Sequence, residues 1–348
     1  MDQTSNLSVP TFADVLQARQ IIAPHLRRTP LENYPALDKT AGTRVFVKHE
    51  NHQLTGAFKV RGGINLISQL SQEERKRGVI SASTGNHGQS VAFAARLFGI
   101  PARIVVPEGA NPAKVAAMRD LGAEVLFYGR DFDEAREHCE ALARNEKLRY
   151  IHSANEPLLI AGVATVALEI LEDCPTVNTI IVPVGGGSGA AGACLVATTV
   201  NPDIKVIGVQ AERAPAAYRS WRAHQLLEDR METAAEGLAT RVAFELPQRI
   251  LWEHLADFVL VSEAEIAQSI TVLVEKAHTL VEAAGAASLA AALQQRERLK
   301  GQVVAVVLSG GNITVEQLRN ALASSSIQGV TTGPRVAQPE SKGFSGEA

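Results

Sequence analysis

The chain has 348 residues, of which 46% are hydrophobic and 20% are charged, and its formal net charge is −3. This length allows two domains, and the composition is that of a globular protein rather than a disordered or fibrous one. Because the net charge is slightly negative, we expect neither nucleic acid nor an anionic membrane as a partner.

The cysteines and the N-terminus bear on the cellular compartment. Cys139, Cys174 and Cys194 are far apart in the sequence, which argues against disulfides and against a zinc site. The N-terminus is polar and has no basic segment before an apolar run, so it does not look like a signal peptide. No apolar stretch is long enough to span a bilayer. We therefore expect a cytoplasmic protein.

Short apolar runs alternate with helical patterns along most of the chain. Unbroken apolar runs are typical of strands that are covered on both faces, as in parallel sheets. The pattern predicts an α/β protein with doubly wound open sheets, and the number of strands favours two sheets in two domains. The nine predicted strands cover residues 44–50, 79–83, 102–107, 124–129, 150–154, 179–184, 205–210, 257–262 and 303–309.

Two helices carry clear terminal signals. Asn111 followed by a proline predicts a helix start, and Gly122 predicts its end. Ser262 and Glu265 predict a capping box at the start of another helix. From about residue 326 the periodicity is lost while Gly, Pro and Ser increase, which predicts a disordered tail over residues 326–348.

Three of the predicted strands end in polar, glycine-rich loops, and open parallel sheets bind ligands at these ends. The first loop, Ser83–Gln89, leads into a helical pattern. The free N–H groups of such a helix start form an anion site. The alternative is an ordinary turn capped by Ser83 or Asn86.

The second loop, Gly185–Gly192, begins with three consecutive glycines. Glycines allow the backbone to fold its N–H groups around a phosphate. Residues 187–192 also fit the GxGxxG pattern of nicotinamide-dependent dehydrogenases, but the next strand ends in Gln210, and the acidic Glu212 comes two residues late. The loop therefore predicts a phosphate site and only weakly a dinucleotide site.

The third loop, Ser309–Asn312, places a hydroxyl group at the mouth of a buried strand. Taken alone, it is more typical of a tight turn capped by Asn312.

Lys59 is the candidate reactive residue. A helix opened by Thr55 places Arg61 on a polar stripe that we expect to face water, whereas Lys59 lies beside Phe58 on a face of small and apolar residues. A buried lysine amine can react with a carbonyl group; the alternative is a lysine that reaches solvent from the helix start. A phosphate site, an anion site and a reactive lysine together suit pyridoxal phosphate.

The segments TGAFKVRGG, STGNHGQ, VGGGSG and LSGGN, in this order, resemble the fold type II pyridoxal-phosphate enzymes, in particular serine/threonine dehydratases (threonine ammonia-lyases) and serine racemases. The resemblance runs from about residue 11 to about residue 323. It implies a tryptophan synthase β-like fold in which the cofactor, pyridoxal 5'-phosphate, lies in a cleft between two domains. The large domain is expected over residues 1–52 and 153–325 and an inserted mobile domain over residues 53–152. We also expect a homodimer or higher homo-oligomer.

The resemblance also implies the roles of site residues. Lys59 is expected to form the Schiff base with the cofactor beside Phe58, Asn86 to hydrogen-bond the ring hydroxyl, and Ser309 to meet the pyridine nitrogen. The expected phosphate ligands are Gly185, Gly186, Gly187, Ser188 and Gly189. The expected ligands of the substrate carboxylate are Ser83, Thr84, Gly85, Asn86 and His87. Glu236 and Glu282 are candidates to approach the cofactor, with a surface or capping role as the alternative for each.

The expected reaction is dehydration and deamination of a β-hydroxy L-amino acid, threonine or serine, to a 2-keto acid and ammonia. The alternatives are a serine racemase or another β-elimination or β-replacement enzyme. Thr84 stands where serine racemases carry an acid/base serine, which makes it a candidate catalytic residue but disfavours racemisation. Gln210 and Ala216 stand where serine racemases carry metal-binding carboxylates, so no metal is expected. Serine, threonine, 3-hydroxyaspartate and phenylserine remain open as substrates.

Overall fold

The computed structural model describes residues 7–326, so the predicted tail, apart from its first residue, lies outside the described residues. Ten strands are formed in this range: β1 (Leu31–Asn33), β2 (Arg44–Lys48), β3 (Val79–Ala82), β4 (Ala102–Val106), β5 (Glu124–Phe127), β6 (Arg149–Tyr150), β7 (Thr179–Pro183), β8 (Lys205–Ala211), β9 (Asp257–Val261) and β10 (Val303–Val307). All nine predicted strands are present, with their ends shifted by a few residues.

Fifteen α-helices connect or flank these strands within residues 7–326. They are α1 (Phe12–Ile22), α2 (Pro35–Ala41), α3 (Lys59–Ser68), α4 (Gln72–Arg77), α5 (Asn86–Leu97), α6 (Pro112–Asp120), α7 (Phe132–Glu146), α8 (Pro157–Asp173), α9 (Ser188–Val200), α10 (Ala216–Ala223), α11 (Glu245–His254), α12 (Glu263–Ala277), α13 (Ala283–Gln294), α14 (Arg296–Leu299) and α15 (Val315–Ser326). Two short 3₁₀ turns cover Glu50–His52 and Glu236–Leu238. No described helix has the combination of length and hydropathy needed to cross a membrane.

The predicted helix ends agree with the structure. The Asn111 side chain accepts a hydrogen bond from the amide of Ala113 at the start of α6, and Gly122 follows the helix with φ of +91°. Ser262 and Glu265 form the predicted capping box of α12. These contacts satisfy amide groups that the first helical turn leaves free.

The strands form two sheets. The larger sheet has the order β1-β2-β10-β7-β8-β9 and the smaller has the order β5-β4-β3-β6. Every neighbouring pair is parallel except β1 and β2. The smaller sheet draws only on residues 79–150, within the predicted inserted domain, although the domain boundaries themselves stay predictions.

Each sheet is covered by helices on both faces. One face of the larger sheet packs against α8, α9 and α11, and the other against α12 and α13. The smaller sheet packs against α3, α5 and α6 on one face and against α7 on the other. This burial on both faces explains why the strand sequences are almost continuously apolar.

Two features differ from the sequence-based expectations. Strand β1, antiparallel to β2, was not predicted because it is short, partly polar and flanked by Pro30 and Pro35. Helix α3 begins at Lys59, with Phe58 as its N-cap, rather than at Thr55. The reactive-lysine candidate is therefore the first residue of its helix.

Candidate active site

A cavity of about 890 Å³ lies between the two sheets, at the carboxyl ends of β3, β7 and β10. Strand ends of parallel sheets converge on such a cleft, and the three polar loops therefore meet there. All thirteen predicted site residues line this cavity: Phe58, Lys59, Ser83, Thr84, Gly85, Asn86, His87, Gly185, Gly186, Gly187, Ser188, Gly189 and Ser309.

Lys59 is partly buried at the bottom of the cleft. Its Nζ donates hydrogen bonds of 3.0 Å to the carbonyl oxygen of Ser153 and to Oγ of Ser188, and it lies 5.3 Å from the centre of the Phe58 ring. Desolvation lowers the pKa of the lysine to about 8. No carboxylate pairs with its amine among the described residues. The amine is thus closer to its neutral, nucleophilic form than an ordinary lysine.

The second loop has the close backbone packing expected of a phosphate cradle. A Cβ atom on Gly185 would lie 2.0 Å from the carbonyl oxygen of Gly237, so no side chain fits there. Gly187 has φ of +87° and caps α9, a conformation that favours glycine. The first turn of α9 leaves N–H groups directed into the cleft. These observations fit the phosphate of the cofactor that the resemblance implies.

The first loop is both a helix cap and part of the cleft wall. Oγ of Ser83 accepts hydrogen bonds from the amides of Gly85 (3.3 Å) and Gly88 (2.9 Å), so this serine satisfies amides of the turn, although the N-cap residue of α5 is Gly85 rather than Ser83 or Asn86. Thr84, Gly85 and Asn86 are partly exposed to the cavity. His87 is buried, and burial followed by the nearby charge of Lys59 lowers its pKa to about 3.

The third loop is bonded to both the first loop and the lysine segment. The Phe58 amide donates to the carbonyl oxygen of Ser309 at 3.0 Å, which ties the residue before Lys59 to the end of β10. Asn312 donates to Oδ1 of Asn86 at 2.8 Å. The side-chain amide of Asn86 in turn donates a 2.7 Å hydrogen bond to the buried carboxyl group of Glu282. Burial raises the pKa of this carboxyl group. Glu282 therefore does approach the predicted cofactor site.

Arg61 is not exposed, contrary to the expectation from the helical stripe. Its side chain is 1% exposed, and its guanidinium binds Glu50 at 2.8 Å and Glu169 at 2.7 Å. Lys48 pairs with the same Glu169 at 2.6 Å. The polar stripe of α3 faces α8 instead of water, and its partners come from segments distant in sequence. We refer to Arg61, Glu50, Glu169 and Lys48 as the buried ionic network.

One pair of charged residues spans the cleft and involves a lysine that the sequence analysis missed. Lys114 on α6 forms an ion pair with Glu236 on the opposite side of the cavity. Glu236 also accepts a 2.8 Å hydrogen bond from Gln317. No signal in the sequence around Lys114 distinguishes it from a surface lysine on a helix, because its role depends on Glu236, 122 residues away.

Gln210 stands where the resemblance to serine racemases would place a metal-binding carboxylate. Its Oε1 accepts a hydrogen bond of 3.0 Å from the amide of Tyr218, in the first turn of α10. No group of three or more His, Cys, Asp or Glu side chains in residues 7–326 is arranged to hold a metal ion.

The chain is similar to characterised enzymes along most of its length. It is 41% identical over 311 residues to an L-threonine ammonia-lyase of Thermotoga maritima, covering 88% of this chain and 77% of the relative. It is 39% identical over 321 residues to a catabolic L-threonine dehydratase of Staphylococcus aureus, covering 90% and 92%. A serine racemase structure from Dictyostelium discoideum superposes with a TM-score of 0.83 at 32% identity, covering 88% of this chain and all of the other.

The family model described as pyridoxal-phosphate dependent enzyme matches residues 22–310. This range includes Lys59, the first two polar loops and the start of the third, Ser309. The comparisons confirm the α/β fold and the cofactor, pyridoxal 5'-phosphate, that the resemblance implied. The chain therefore belongs to the family of pyridoxal-phosphate dependent enzymes.

Proposed function

We propose that this enzyme is a lyase that dehydrates and deaminates a β-hydroxy L-amino acid, threonine or serine, to a 2-keto acid and ammonia. The observation that carries the proposal is the Lys59 amine, which pairs with no carboxylate in the part of the chain that the structure describes and lies where the three polar loops meet. The relatives named as threonine ammonia-lyase and threonine dehydratase support the same reaction.

The chain's own residues would divide the work as follows. Lys59 would hold the cofactor aldehyde, and its amine would serve as the base for the proton on the substrate Cα; its lowered pKa suits a base near neutral pH. The first turn of α9 and the loop before it hold the phosphate. The segment Ser83–His87 would hold the substrate carboxylate, and the Ser83 hydroxyl can take part because its oxygen accepts from Gly85 and Gly88 while its hydrogen remains to be donated. Bound pyridoxal phosphate supplies the conjugated ring that accepts electrons from Cα.

Ser309 and Asn86 are proposed to orient the cofactor ring. Ser309 lies at the end of β10 and is 7% exposed, so its hydroxyl has little competition from water. A hydroxyl is a weak acid and would leave the pyridine nitrogen neutral. A neutral ring would accept electrons from the substrate Cα less strongly, which would favour elimination of the β-substituent over return of the proton to Cα.

Racemisation is the second candidate, because the serine racemase structure shares this fold at 32% identity. It requires an acid/base on the face of Cα opposite Lys59. Thr84 lines the cavity and carries the hydroxyl that would serve, so it is the residue to test. A nicotinamide-dependent reaction has less support, since Gln210 is bonded to Tyr218 and provides no carboxylate for a ribose.

Two experiments test the proposal. Borohydride reduction of the holoenzyme followed by peptide mapping should place a pyridoxyl group on Lys59; a label on Lys48 or Lys114 instead would contradict the assignment. Release of keto acid should then be measured with serine, threonine, 3-hydroxyaspartate and phenylserine. Formation of the D-amino acid without keto acid would favour the racemase, and Thr84→Val would identify its acid/base. The predicted homo-oligomer stays a prediction.

A further inference from the structure

The charges that line the cleft restrict the charge of the substrate side chain; this inference rests on the proposed function. Among the described residues that line the cavity, the lysines are Lys59 and Lys114, and the carboxylic acids are Glu236, Glu282 and Glu316. His87 is buried with its pKa lowered to about 3, so it is neutral near pH 7. Lys59 is committed to the cofactor. Lys114 is therefore the one remaining cation of the cavity wall that could bind a second carboxylate.

Lys114 lies close to the proposed substrate site. Its Nζ is 3.8 Å from the position of a Cβ atom built on Gly85, in the loop proposed to hold the substrate carboxylate. The Lys114 side chain is only 9% exposed, so a charge there is poorly screened by water. Without a partner, this ammonium group would attract an anionic group of a ligand in the cleft.

Glu236 prevents this by pairing with Lys114 from the opposite wall. The hydrogen bond from Gln317 engages the other oxygen of the same carboxylate, so each oxygen of Glu236 has a partner although its side chain is 42% exposed. A substrate with a second carboxylate would have to displace Glu236 from Lys114. The displaced Glu236 carboxylate would then lie close to the negatively charged substrate side chain. Like charges at such a distance oppose binding.

We infer that the Lys114–Glu236 pair is a specificity determinant that restricts this enzyme to β-hydroxy amino acids without a second carboxylate. Threonine and serine are accepted, whereas 3-hydroxyaspartate is rejected because the cation that would bind its side chain is already neutralised. Removal of the Glu236 charge frees Lys114 and shifts the preference toward the dicarboxylic substrate.

The test compares kcat/KM for threonine and for 3-hydroxyaspartate in the holoenzyme, with keto-acid release as the assay. In Glu236→Gln, the ratio of 3-hydroxyaspartate to threonine should rise about tenfold or more, the effect of one new hydrogen bond between charged groups. Glu316→Gln is the matched control, since it removes a carboxylate that lines the same cavity but does not pair with Lys114. In this variant the kcat/KM ratio of 3-hydroxyaspartate to threonine should stay within about twofold of wild type, well below the effect of a new hydrogen bond between charged groups. The double variant Glu236→Gln/Lys114→Met should lose the gain.

Equilibrium binding of succinate gives a readout that does not depend on turnover. Calorimetry should show binding about tenfold tighter to Glu236→Gln than to wild type, and Glu236→Ala repeats the measurement if the first variant does not fold. The inference would be overturned if the kcat/KM ratio of 3-hydroxyaspartate to threonine were unchanged in Glu236→Gln, or if it rose equally in Glu316→Gln. In either case, turnover of threonine would leave the proposed function standing. If wild type released keto acid from neither threonine nor serine, the proposed function would be wrong, whereas unchanged succinate binding in Glu236→Gln would overturn the inference by itself.

Discussion

The buried ionic network is the part of the active-site scaffold whose removal has the most predictable cost. Arg61 donates four hydrogen bonds of 2.7–2.8 Å, two to Glu50 and two to Glu169. In Arg61→Met, Lys48 still pairs with Glu169. Glu50, which is fully buried, retains only the hydroxyl of Thr29 and the amide of Gln53. The substitution therefore leaves one buried carboxylate without a cation in direct contact.

The expected cost follows from that orphaned carboxylate. Breaking a buried ion pair by removing one partner costs about 3–5 kcal/mol of unfolding free energy. For a chain of this length the unfolding entropy is about 0.7 kcal/mol/K, so the midpoint of thermal unfolding should fall by about 4–7 °C. In the second variant, Arg61→Met/Glu50→Gln, the orphaned charge is gone, and part of this loss should be recovered.

Thermal and urea unfolding of the two variants and wild type are the measurements. Arg28→Met is the control, because Arg28 also binds two carboxylates but its side chain is 41% exposed; it should cost less than about 1 kcal/mol. If Arg61→Met unfolded within about 1 °C of wild type, well below the expected range, the network would not stabilise the fold. If the double variant were less stable than Arg61→Met, the cost would not come from the orphaned carboxylate.

Two further predictions concern pH and backbone packing. The pKa of His87 is lowered to about 3 in the folded protein, so the unfolded chain binds more protons than the folded one between pH 6.5 and 3. This residue therefore makes the free energy of unfolding fall as the pH falls through that range. Measured by urea unfolding, His87→Gln should lose less stability than wild type between pH 7 and 4.5. Gly185→Ala should lower both the unfolding temperature and the bound pyridoxal phosphate, since its Cβ meets the Gly237 carbonyl. Gly42→Ala, with φ of +69° but open space, should cost about 1–2 kcal/mol and leave cofactor content unchanged.

The strands and the loops that follow them could be predicted from sequence because their signals are local. A strand covered on both faces must be apolar throughout, and a loop that approaches a phosphate must lack side chains, as at Gly185. Strand β1 carries neither signal: it lies at the edge of the sheet, and its residues are partly exposed or exposed. It is held by its pairing with β2, which is a tertiary contact.

The partners of charged side chains could not be predicted from the sequence. For this reason the prediction that the polar stripe of α3 faces water was wrong. A helical stripe shows which residues share a face, but not whether that face meets water or another helix. Arg61 reaches Glu169, which is 108 residues away, and Lys114 reaches Glu236, which is 122 residues away. A polar face that is satisfied by distant carboxylates has the same local sequence as a solvated one.

The two cations at the start of α3 illustrate how the fold separates a structural charge from a reactive one. Arg61 and Lys59 are two residues apart, but they point to different surroundings. Arg61 meets two carboxylates, which raise its pKa and keep it charged. Within residues 7–326, the Lys59 amine meets only a carbonyl and a hydroxyl oxygen, and desolvation lowers its pKa. Because Arg61 anchors the first turn of the helix to α8 and to the Glu50 turn, it also fixes the backbone from which the Lys59 amine extends into the cleft. The lysine can remain without a carboxylate, and hence nucleophilic, because the position of its helix does not depend on an ion pair of its own.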